Sequence, residues 1–354
     1  MIQTRNDVLA VVSQSGPAVV FFDAVTYDRL GEVRVPYEPH ELCFDAARRL
    51  LYCTITYRSG FYRANTGRAR ELVVIDPDER RAVEVVDLAP EWAPHGLALD
   101  PAGELLWVSV EARGAEEGAP TAEEGALVAL EAGSRKPVRR IPVGAPGPHW
   151  FVLTPDGRRA YTANKEAPFL SVVDLGAGVT DGRIAMPGGS EGIAVAPDGR
   201  YVYVAGPKGD GGGGGARGDG GVRVVDTATG AVVRTLPTEG PVLPVHVTST
   251  GLVLAGELRG AAGGSPPGGQ GPGVLHVYEG DAVRARVPVG AFPLTITSSP
   301  DGRHGYVAAV SASTVTVVDL AAGAVAATLE VGRPGEPGAH GMAYVSRPTP
   351  RPRT

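Results

Sequence analysis

Four histidines recur at one position of a short repeated phrase, and neutral imidazole is the commonest metal ligand among protein side chains. They are His40, His95, His149 and His340, and each opens a short apolar run. In a further repeat the same position, which we call the slot, holds Glu191. If the repeats form a ring, the slot side chains converge on its axis. Four imidazoles and one carboxylate would then share one small space.

Such a nitrogen-rich cluster predicts a divalent metal ion, with Fe, Mn, Zn or Cu as candidates. The predicted ligands are the four slot histidines together with Glu191. We expect His40, His95 and His149 to bind most tightly, because a preceding proline stiffens the backbone before each of them, and His340 to be a fourth ligand. Glu191 is a ligand or a general base. Glu41 lies next to a slot histidine and is a catalytic candidate that could orient an imidazole; a role at the surface or at a sheet edge is an equal alternative.

A purely structural role for the slot histidines is the alternative. An imidazole at the start of a strand can simply bond a neighbouring backbone carbonyl. Two repeats align Val245 and Leu294 with the slot, so the repeat itself does not require histidine there. This difference between repeats favours a metal or catalytic role.

The elements that position the slot follow a regular order. Each slot leads into an apolar run, a turn such as Pro197-Asp198-Gly199, and a second apolar run. Proline presets φ and glycine supplies positive φ, so these turns indicate tight hairpins. A loop of variable length, a third run ending in an acidic residue, and a fourth run complete the unit. Four short β runs recurring about every 40 to 55 residues are typical of propeller blades.

The ends of the chain predict how the ring closes. Residues 8–35 read as the second, third and fourth strands of a unit, and the chain ends with a lone first strand at 340–345. Joining them completes a seventh blade and removes the free sheet edges. The predicted fold class is therefore all-β: a single seven-bladed β-propeller over residues 1–346, followed by a disordered tail at 347–354.

Several segments resemble a known family of repeats. Residues 299–307 with 314–319, and 196–204 with 222–230, resemble the repeats of YVTN-type seven-bladed β-propellers, and the resemblance covers nearly the whole chain. It implies the same fold and a superfamily of lactonase-like enzymes, lyases and non-enzymatic scaffolds. Residues 94–107 also resemble repeats of streptogramin-lyase-like propellers, which use His and Glu near a bound divalent ion.

The longer loops lie between second and third strands, on the face that also carries the slots. Insertions confined to one face mark the binding face of a repeat architecture. From these loops we predict catalytic roles for Tyr57, Arg58 and Lys165, together with Glu41 and Glu191. Further polar candidates on the loops are Tyr62, Arg63, Asn65, Glu111, Arg113, Asn164, Glu166, Lys208, Glu257 and Arg259.

These features predict a metal-dependent enzyme acting on a small-molecule substrate at the mouth of the channel. Lyase or hydrolase chemistry of the lactonase-like kind is favoured. One alternative is a metal-dependent oxygenase with His-ligated iron or copper, by geometric analogy with the carotenoid-cleavage oxygenases. Another is a scaffold that binds a protein or peptide on the long-loop face.

Composition and motifs exclude other classes. The formal net charge of −6 gives no reason to expect nucleic acid or a membrane as partner. The first residues carry no signal-peptide pattern, which favours a cytoplasmic protein, and Cys43 and Cys53 are expected to be buried, reduced thiols. There is no Gly-x-Ser-x-Gly motif, which argues against a serine hydrolase.

Overall fold

The computed structural model describes residues 7–59, 66–114, 125–165, 167–206, 220–259, 271–332 and 338–347. These residues form seven four-stranded antiparallel sheets, arranged as the blades of a seven-bladed β-propeller. The predicted all-β fold is therefore confirmed. Within the described ranges, no helix is long and apolar enough to cross a membrane. The predicted tail lies outside these ranges from residue 348 onwards.

The strands follow the predicted order, four to a blade. The chain begins with β1 (Val8–Ser13), β2 (Ala18–Asp23) and β3 (Arg29–Arg34). Blade 1 contains β4 (Glu38–Asp45), β5 (Leu50–Tyr57), β6 (Arg68–Asp76) and β7 (Arg81–Asp87). Blade 2 contains β8 (Glu91–Leu99), β9 (Leu105–Arg113), β10 (Ala126–Glu131) and β11 (Pro137–Pro142). Blade 3 contains β12 (Pro148–Leu153), β13 (Arg159–Asn164), β14 (Phe169–Asp174) and β15 (Val179–Ala185).

The remaining blades repeat the pattern. Blade 4 contains β16 (Ile193–Val195), β17 (Tyr201–Gly206), β18 (Gly221–Asp226) and β19 (Val232–Pro237). Blade 5 contains β20 (Val242–Val247), β21 (Val253–Glu257), β22 (Pro272–Glu279) and β23 (Ala282–Ala291). Blade 6 contains β24 (Pro293–Ser298), β25 (His304–Ala309), β26 (Thr314–Asp319) and β27 (Ala324–Glu330). The last strand, β28 (Ala339–Val345), pairs with β1 and completes blade 7.

The hydrophobic core lies between adjacent blades. The second and third strands are apolar and buried, whereas the fourth strands at the rim consist mostly of exposed and half-buried residues. Seven core clusters among the described residues each combine two neighbouring sheets; one of them packs β1 and β2 of blade 7 against β25 and β26 of blade 6. Burial on both faces explains the near-continuous apolar runs of the inner strands.

Two contacts support the closure of the ring at the chain ends. The Tyr344 hydroxyl donates a hydrogen bond of 2.8 Å to Asp7, and the backbone N–H of Arg347 donates one of 2.7 Å to the same carboxylate. The ladder between β1 and β28 runs from Val8↔Val345 to Ser13↔Ala339. The first and last described segments are therefore held together by both backbone and side-chain hydrogen bonds.

Candidate metal centre

A bulge at the start of the first strand creates the slot. In blade 1, three steps along β4 from Pro39 to Leu42 face two steps along β5, which leaves one extra residue in the first strand. The same register shift occurs in blades 2, 3, 5, 6 and 7. A β-bulge bends the strand and redirects a side chain. His40, His95, His149 and His340 each lie within such a bulge.

The first strands approach one another closely at this level. A Cβ built on Gly341 would lie 2.3 Å from the backbone oxygen of His40, and one on Gly96 would lie 3.1 Å from that of His149. On Gly192 it would lie 2.4 Å from the oxygen of Leu243, which accepts a hydrogen bond of 2.8 Å from the Gly192 N–H. Glycine after the slot therefore lets neighbouring blades pack backbone against backbone.

These contacts correct one slot assignment. In blade 5 the residue inside the bulge, with its carbonyl against the glycine of the preceding blade, is Leu243 and not Val245. Val245 pairs regularly with Ala255 and packs in the core between blades 4 and 5. Pro244-Val245 imitates the Pro-His phrase of the other blades, but the bulge there lies two residues earlier. Blade 6 has Leu294 in its bulge, as predicted.

The structure brings the four slot histidines together as an arc. Adjacent ring centroids are 4.1 Å apart for His340 and His40, 4.0 Å for His40 and His95, and 3.6 Å for His95 and His149. All four side chains are at most 4% exposed. Glu191 is fully buried at the end of the arc, with Oε1 3.8 Å from Nδ1 of His149.

Glu41 belongs to the same cluster, on the side of blade 7. Its Oε1 lies 3.3 Å from Nδ1 of His340 and 3.6 Å from Nδ1 of His40. One ligand atom from each of these three residues lies within 4.8 Å of the other two. Neither Nδ1 has a hydrogen-bond partner of good geometry in the described part of the chain. Buried polar atoms are normally paired. This group therefore has the ligand atoms that a metal ion requires, and two of its nitrogen atoms are available for coordination.

Burial and the neighbouring imidazoles determine the charge of the cluster. Burial, reinforced by His95 and His340, holds the pKa of His40 well below its usual value, so that this ring is neutral. Burial alone would raise the pKa of Glu41, but contacts with His340 and His40 outweigh it and lower the pKa to about 2.

The buried, ionised carboxylate of Glu41 creates a demand for positive charge. Glu41 and Glu191 are at most 7% exposed, and within the described ranges the ion-pair contacts of Glu41 are made only with histidines. An ionised carboxylate away from water is costly unless it is paired or ligates a metal. A divalent cation beside Glu41 would balance this carboxylate while leaving His40 neutral.

Trp150 connects the two sides of the channel. Its Nε1–H donates a hydrogen bond of 2.8 Å to Oε1 of Glu41, and its ring centroid lies 4.3 Å from that of His149. The indole also packs against an apolar cluster that contains Leu243 and Leu294. The indole therefore positions Glu41 from across the channel, between the histidine arc and an apolar wall.

A second polar group borders the arc and includes two of the predicted catalytic residues. The Tyr57 hydroxyl donates a hydrogen bond of 2.8 Å to Oε1 of Glu111, and Nζ of Lys165 donates one of 2.7 Å to the tyrosine oxygen. Lys165 also forms a salt bridge with Glu111. Burial, with Glu111 adding to it, raises the pKa of Tyr57 well above its usual value. The Tyr57 ring centroid lies 6.2 Å from that of His40.

The other predicted candidates lie elsewhere. Arg58 is exposed, with its guanidinium over the ring of Tyr37, which separates it from the buried arc. His246 contacts Ser298 at 2.9 Å, and His276, to which the sequence assigned no role, forms a buried pair with Glu257. The candidates Tyr62, Arg63, Asn65, Glu166 and Lys208 lie outside the described residues.

Comparison with known proteins shows the fold alone. No protein-family profile and no curated protein matches the chain. Among solved structures, a functionally unknown protein from Desulfotomaculum acetoxidans is 12% identical, with a TM-score of 0.70 over 96% of this chain and 99% of that one. Hydrazine synthase of Kuenenia stuttgartiensis is 17% identical, with a TM-score of 0.63 over 80% and 76% of the two chains. Dihydro-heme d1 dehydrogenase NirN, solved in complex with DHE, is 16% identical, with a TM-score of 0.58 over 94% and 67%.

Proposed function

We propose that the protein is an enzyme that acts on a small molecule at the channel mouth with a divalent transition-metal ion. His40, His340 and Glu41 would hold the ion, and His95, His149 and Glu191 would extend the arc around it. One observation carries the proposal: ligand atoms of His40, His340 and Glu41 lie within 4.8 Å of one another, and the two Nδ1 atoms lack well-formed hydrogen bonds among the described residues.

Two further points support enzymatic function and the family. Two of the similar solved structures, hydrazine synthase and dihydro-heme d1 dehydrogenase, are enzymes by name, so the fold accommodates catalysis. The repeated phrases resemble YVTN-type propeller repeats, and we assign the chain to that group as part of the proposal. We also propose a cytoplasmic setting, with a small molecule as partner instead of nucleic acid or a membrane, consistent with the net charge of −6.

The neighbouring side chains favour lyase or hydrolase chemistry, lactonase-like chemistry included. A bound divalent ion supplies Lewis acidity or an activated water. Tyr57 stays protonated at neutral pH because burial and Glu111 raise its pKa, so its hydroxyl would act as a hydrogen-bond donor that exchanges Glu111 for an oxygen of the substrate. Lys165 donates to the tyrosine oxygen and would strengthen the hydroxyl as a donor. Glu111 accepts a hydrogen bond from the hydroxyl and orients the group before substrate binds.

The four imidazoles are in contact in sequence along the arc, and this nitrogen-rich arrangement keeps the oxygenase alternative open. Nitrogen-rich ligand sets also suit iron and copper, and adjacent rings of the arc are no more than 4.1 Å apart. The identity of the bound metal separates the two chemistries: zinc or manganese supports the lyase or hydrolase, and iron or copper supports the oxygenase.

Metal analysis of matched double variants tests the proposal. Purified, metal-supplemented wild type is expected to retain about one equivalent of metal per chain. His40→Ala/His95→Ala should lose it while keeping a β-type circular dichroism spectrum. The control His246→Gln/His304→Gln removes two imidazoles outside the arc and should retain the metal. If wild type retains no metal, or the two double variants retain equal amounts, the metal site does not exist and the scaffold alternative is favoured.

A further inference from the structure

The channel mouth is divided into a polar side and an apolar side. Slots of blades 7, 1, 2, 3 and 4 hold the four histidines and Glu191, whereas blades 5 and 6 hold Leu243 and Leu294 in the corresponding bulges. These two leucines pack with Val310 in one cluster. The division follows the order of the blades, so each side is continuous.

A second position around the channel is also apolar in blades 5 and 6 and polar in blade 3. This position is the first residue after the second strand of a blade. Its backbone N–H donates a hydrogen bond to the backbone oxygen of the residue that precedes the first strand. The pairs are Lys165 with Gly147 at 3.1 Å, Leu258 with Pro241 at 2.9 Å, and Val310 with Phe292 at 2.9 Å. The position is thus lysine in blade 3 but leucine and valine in blades 5 and 6. The same hydrogen bond is made by Gln14 in blade 7 and by Gly114 in blade 2. Among these five blades, the two with an apolar side chain at this position are the two with a leucine in the slot.

Phe292 is presented to the mouth at a conformational cost. It lies two residues before the slot with φ of +60°, and the equivalent residues are Ala93, Gly147 and Gly189, with φ of +51°, +58° and +76°. Left-handed backbone is unfavourable for a bulky residue, and glycine adopts it freely. Blade 6 nevertheless has an aromatic ring at a position where two other blades have glycine with positive φ. Retained strain of this kind is found at ligand sites.

The apolar residues nearest the surface complete one patch. Trp150, Leu258 and Phe292 are half-buried, and they pack against the buried Leu243, Leu294 and Val310. Trp150 also donates to Glu41, which joins the patch directly to the histidine arc. A ligand lying on the patch would have its polar end beside the proposed metal ligands.

We propose that the half-buried Trp150, Leu258 and Phe292, supported from behind by Leu243, Leu294 and Val310, form a binding site for the aromatic or alkyl part of an amphiphilic small molecule whose oxygen or nitrogen donor reaches the arc. The donor end of this inference rests on the proposed function, whereas the apolar end rests on the patch alone. A protein partner does not fit, because a stable interface needs about 800 Å² per partner, and three of the six side chains are at most 4% exposed.

Two hydroxamates that differ only in their apolar part test the proposal in metal-loaded protein. Both acetohydroxamate and benzohydroxamate present the same chelating group to a metal. Benzohydroxamate should bind wild type about tenfold or more tightly than acetohydroxamate, since burying a phenyl ring contributes at least that factor. Phe292→Gly should reduce the ratio to about threefold or less, leave acetohydroxamate binding unchanged, and remain folded because glycine relieves the backbone strain.

Two more arms separate the parts of the argument. Trp150→Phe keeps an aromatic ring but removes the N–H donor to Glu41, so it should preserve the preference for benzohydroxamate. In metal-free protein, 2-naphthol should bind wild type at least about fivefold more tightly than Phe292→Gly. If neither hydroxamate binds but 2-naphthol shows this difference, the metal proposal fails and the apolar site stands. Equal binding of the two hydroxamates to wild type, or of 2-naphthol to wild type and Phe292→Gly, would overturn the apolar site.

Discussion

Adding one methyl group at Gly341 should disturb both ring closure and the candidate metal centre. Gly341 follows the slot residue of β28, and its position faces blade 1. A Cβ there would lie 2.3 Å from the His40 oxygen and 2.7 Å from Cα of Glu41. Both obstacles are backbone atoms, which cannot move aside as a flexible side chain does. The perturbation therefore acts on the spacing between two blades.

The structure indicates the size of the effect. Ordinary contacts between carbon atoms are about 3.5–4.0 Å, so β28 must move about 1 Å away from β4. Overpacking of this kind costs about 1–3 kcal/mol, and the backbone obstacles place Gly341→Ala at the upper end. The same movement separates His340 from His40. Because metal–ligand distances hold within about 0.2 Å, metal affinity should fall at least about tenfold.

Other glycines of the chain provide a graded series. Gly192→Ala meets the Leu243 oxygen at 2.4 Å, and Gly96→Ala meets the His149 oxygen at 3.1 Å. The loss of stability should therefore be similar for Gly341→Ala and Gly192→Ala, and smaller for Gly96→Ala. Gly133 is the matched control, because it is exposed, has no atom within 4 Å of a built Cβ and lacks the left-handed φ that would penalise alanine.

Urea unfolding followed by circular dichroism gives the stability of each variant, and calorimetric titration with zinc or copper gives its metal affinity. The expected order of destabilisation follows the contact distances, with Gly133→Ala near zero. If Gly341→Ala unfolds at the same urea concentration as Gly133→Ala, the close approach of blades 7 and 1 does not exist. If it is destabilised but binds metal like wild type, the proposed ligands His340 and His40 do not act together.

Three other predictions concern the rest of the propeller. Burial lowers the pKa of His246 from 6.5 to about 4. Because the unfolded chain then binds the proton more readily than the folded protein, the free energy of unfolding should fall as the pH drops from about 6.5 toward 4, by up to about 3 kcal/mol. His246→Gln should show a shallower pH dependence in urea titrations. Removing all residues after Gly338 deletes β28 and opens the ring, so the truncated chain should lose its cooperative thermal transition, and an unchanged melting curve would refute closure. Cys53 is buried as expected, whereas Cys43 is half-buried. Burial raises the pKa of Cys53 well above its usual value, so this thiol should react with Ellman's reagent at pH 8 only after unfolding. Reaction of two thiols per chain in native protein would contradict its burial.

The repeat made the fold predictable, because each blade shows its own turns and apolar runs in the sequence. The slot was predictable wherever a histidine or an acidic residue marked it. The assignment of the slot to Val245 in blade 5 was wrong, because an alignment based on the preceding proline ignores the extra residue of the bulge. In blade 5 the bulge holds Leu243 and Pro244, and only the strand register reveals this offset.

The role of Glu41 was harder to predict, because its contacts arise from packing across the channel. Trp150, which hydrogen-bonds it, is 109 residues away in the chain. A signal was nevertheless present. The position after the slot is glycine at Gly96, Gly192 and Gly341, but glutamate in blade 1 and tryptophan in blade 3. Two large side chains at a position where three blades have glycine indicate a function that the fold does not require.

The same comparison between blades argues against a structural role for the histidines. The bulge forms around Leu243 and Leu294 as well as around histidine, so the first strand does not need an imidazole to turn into the channel. Four adjacent buried imidazoles with two buried carboxylates carry a desolvation cost that a leucine in the slot avoids. A scaffold whose binding face is formed by the outer loops would have no use for this cluster. A cation held between these groups would explain why five consecutive blades retain polar slots while the two remaining blades supply the apolar wall opposite.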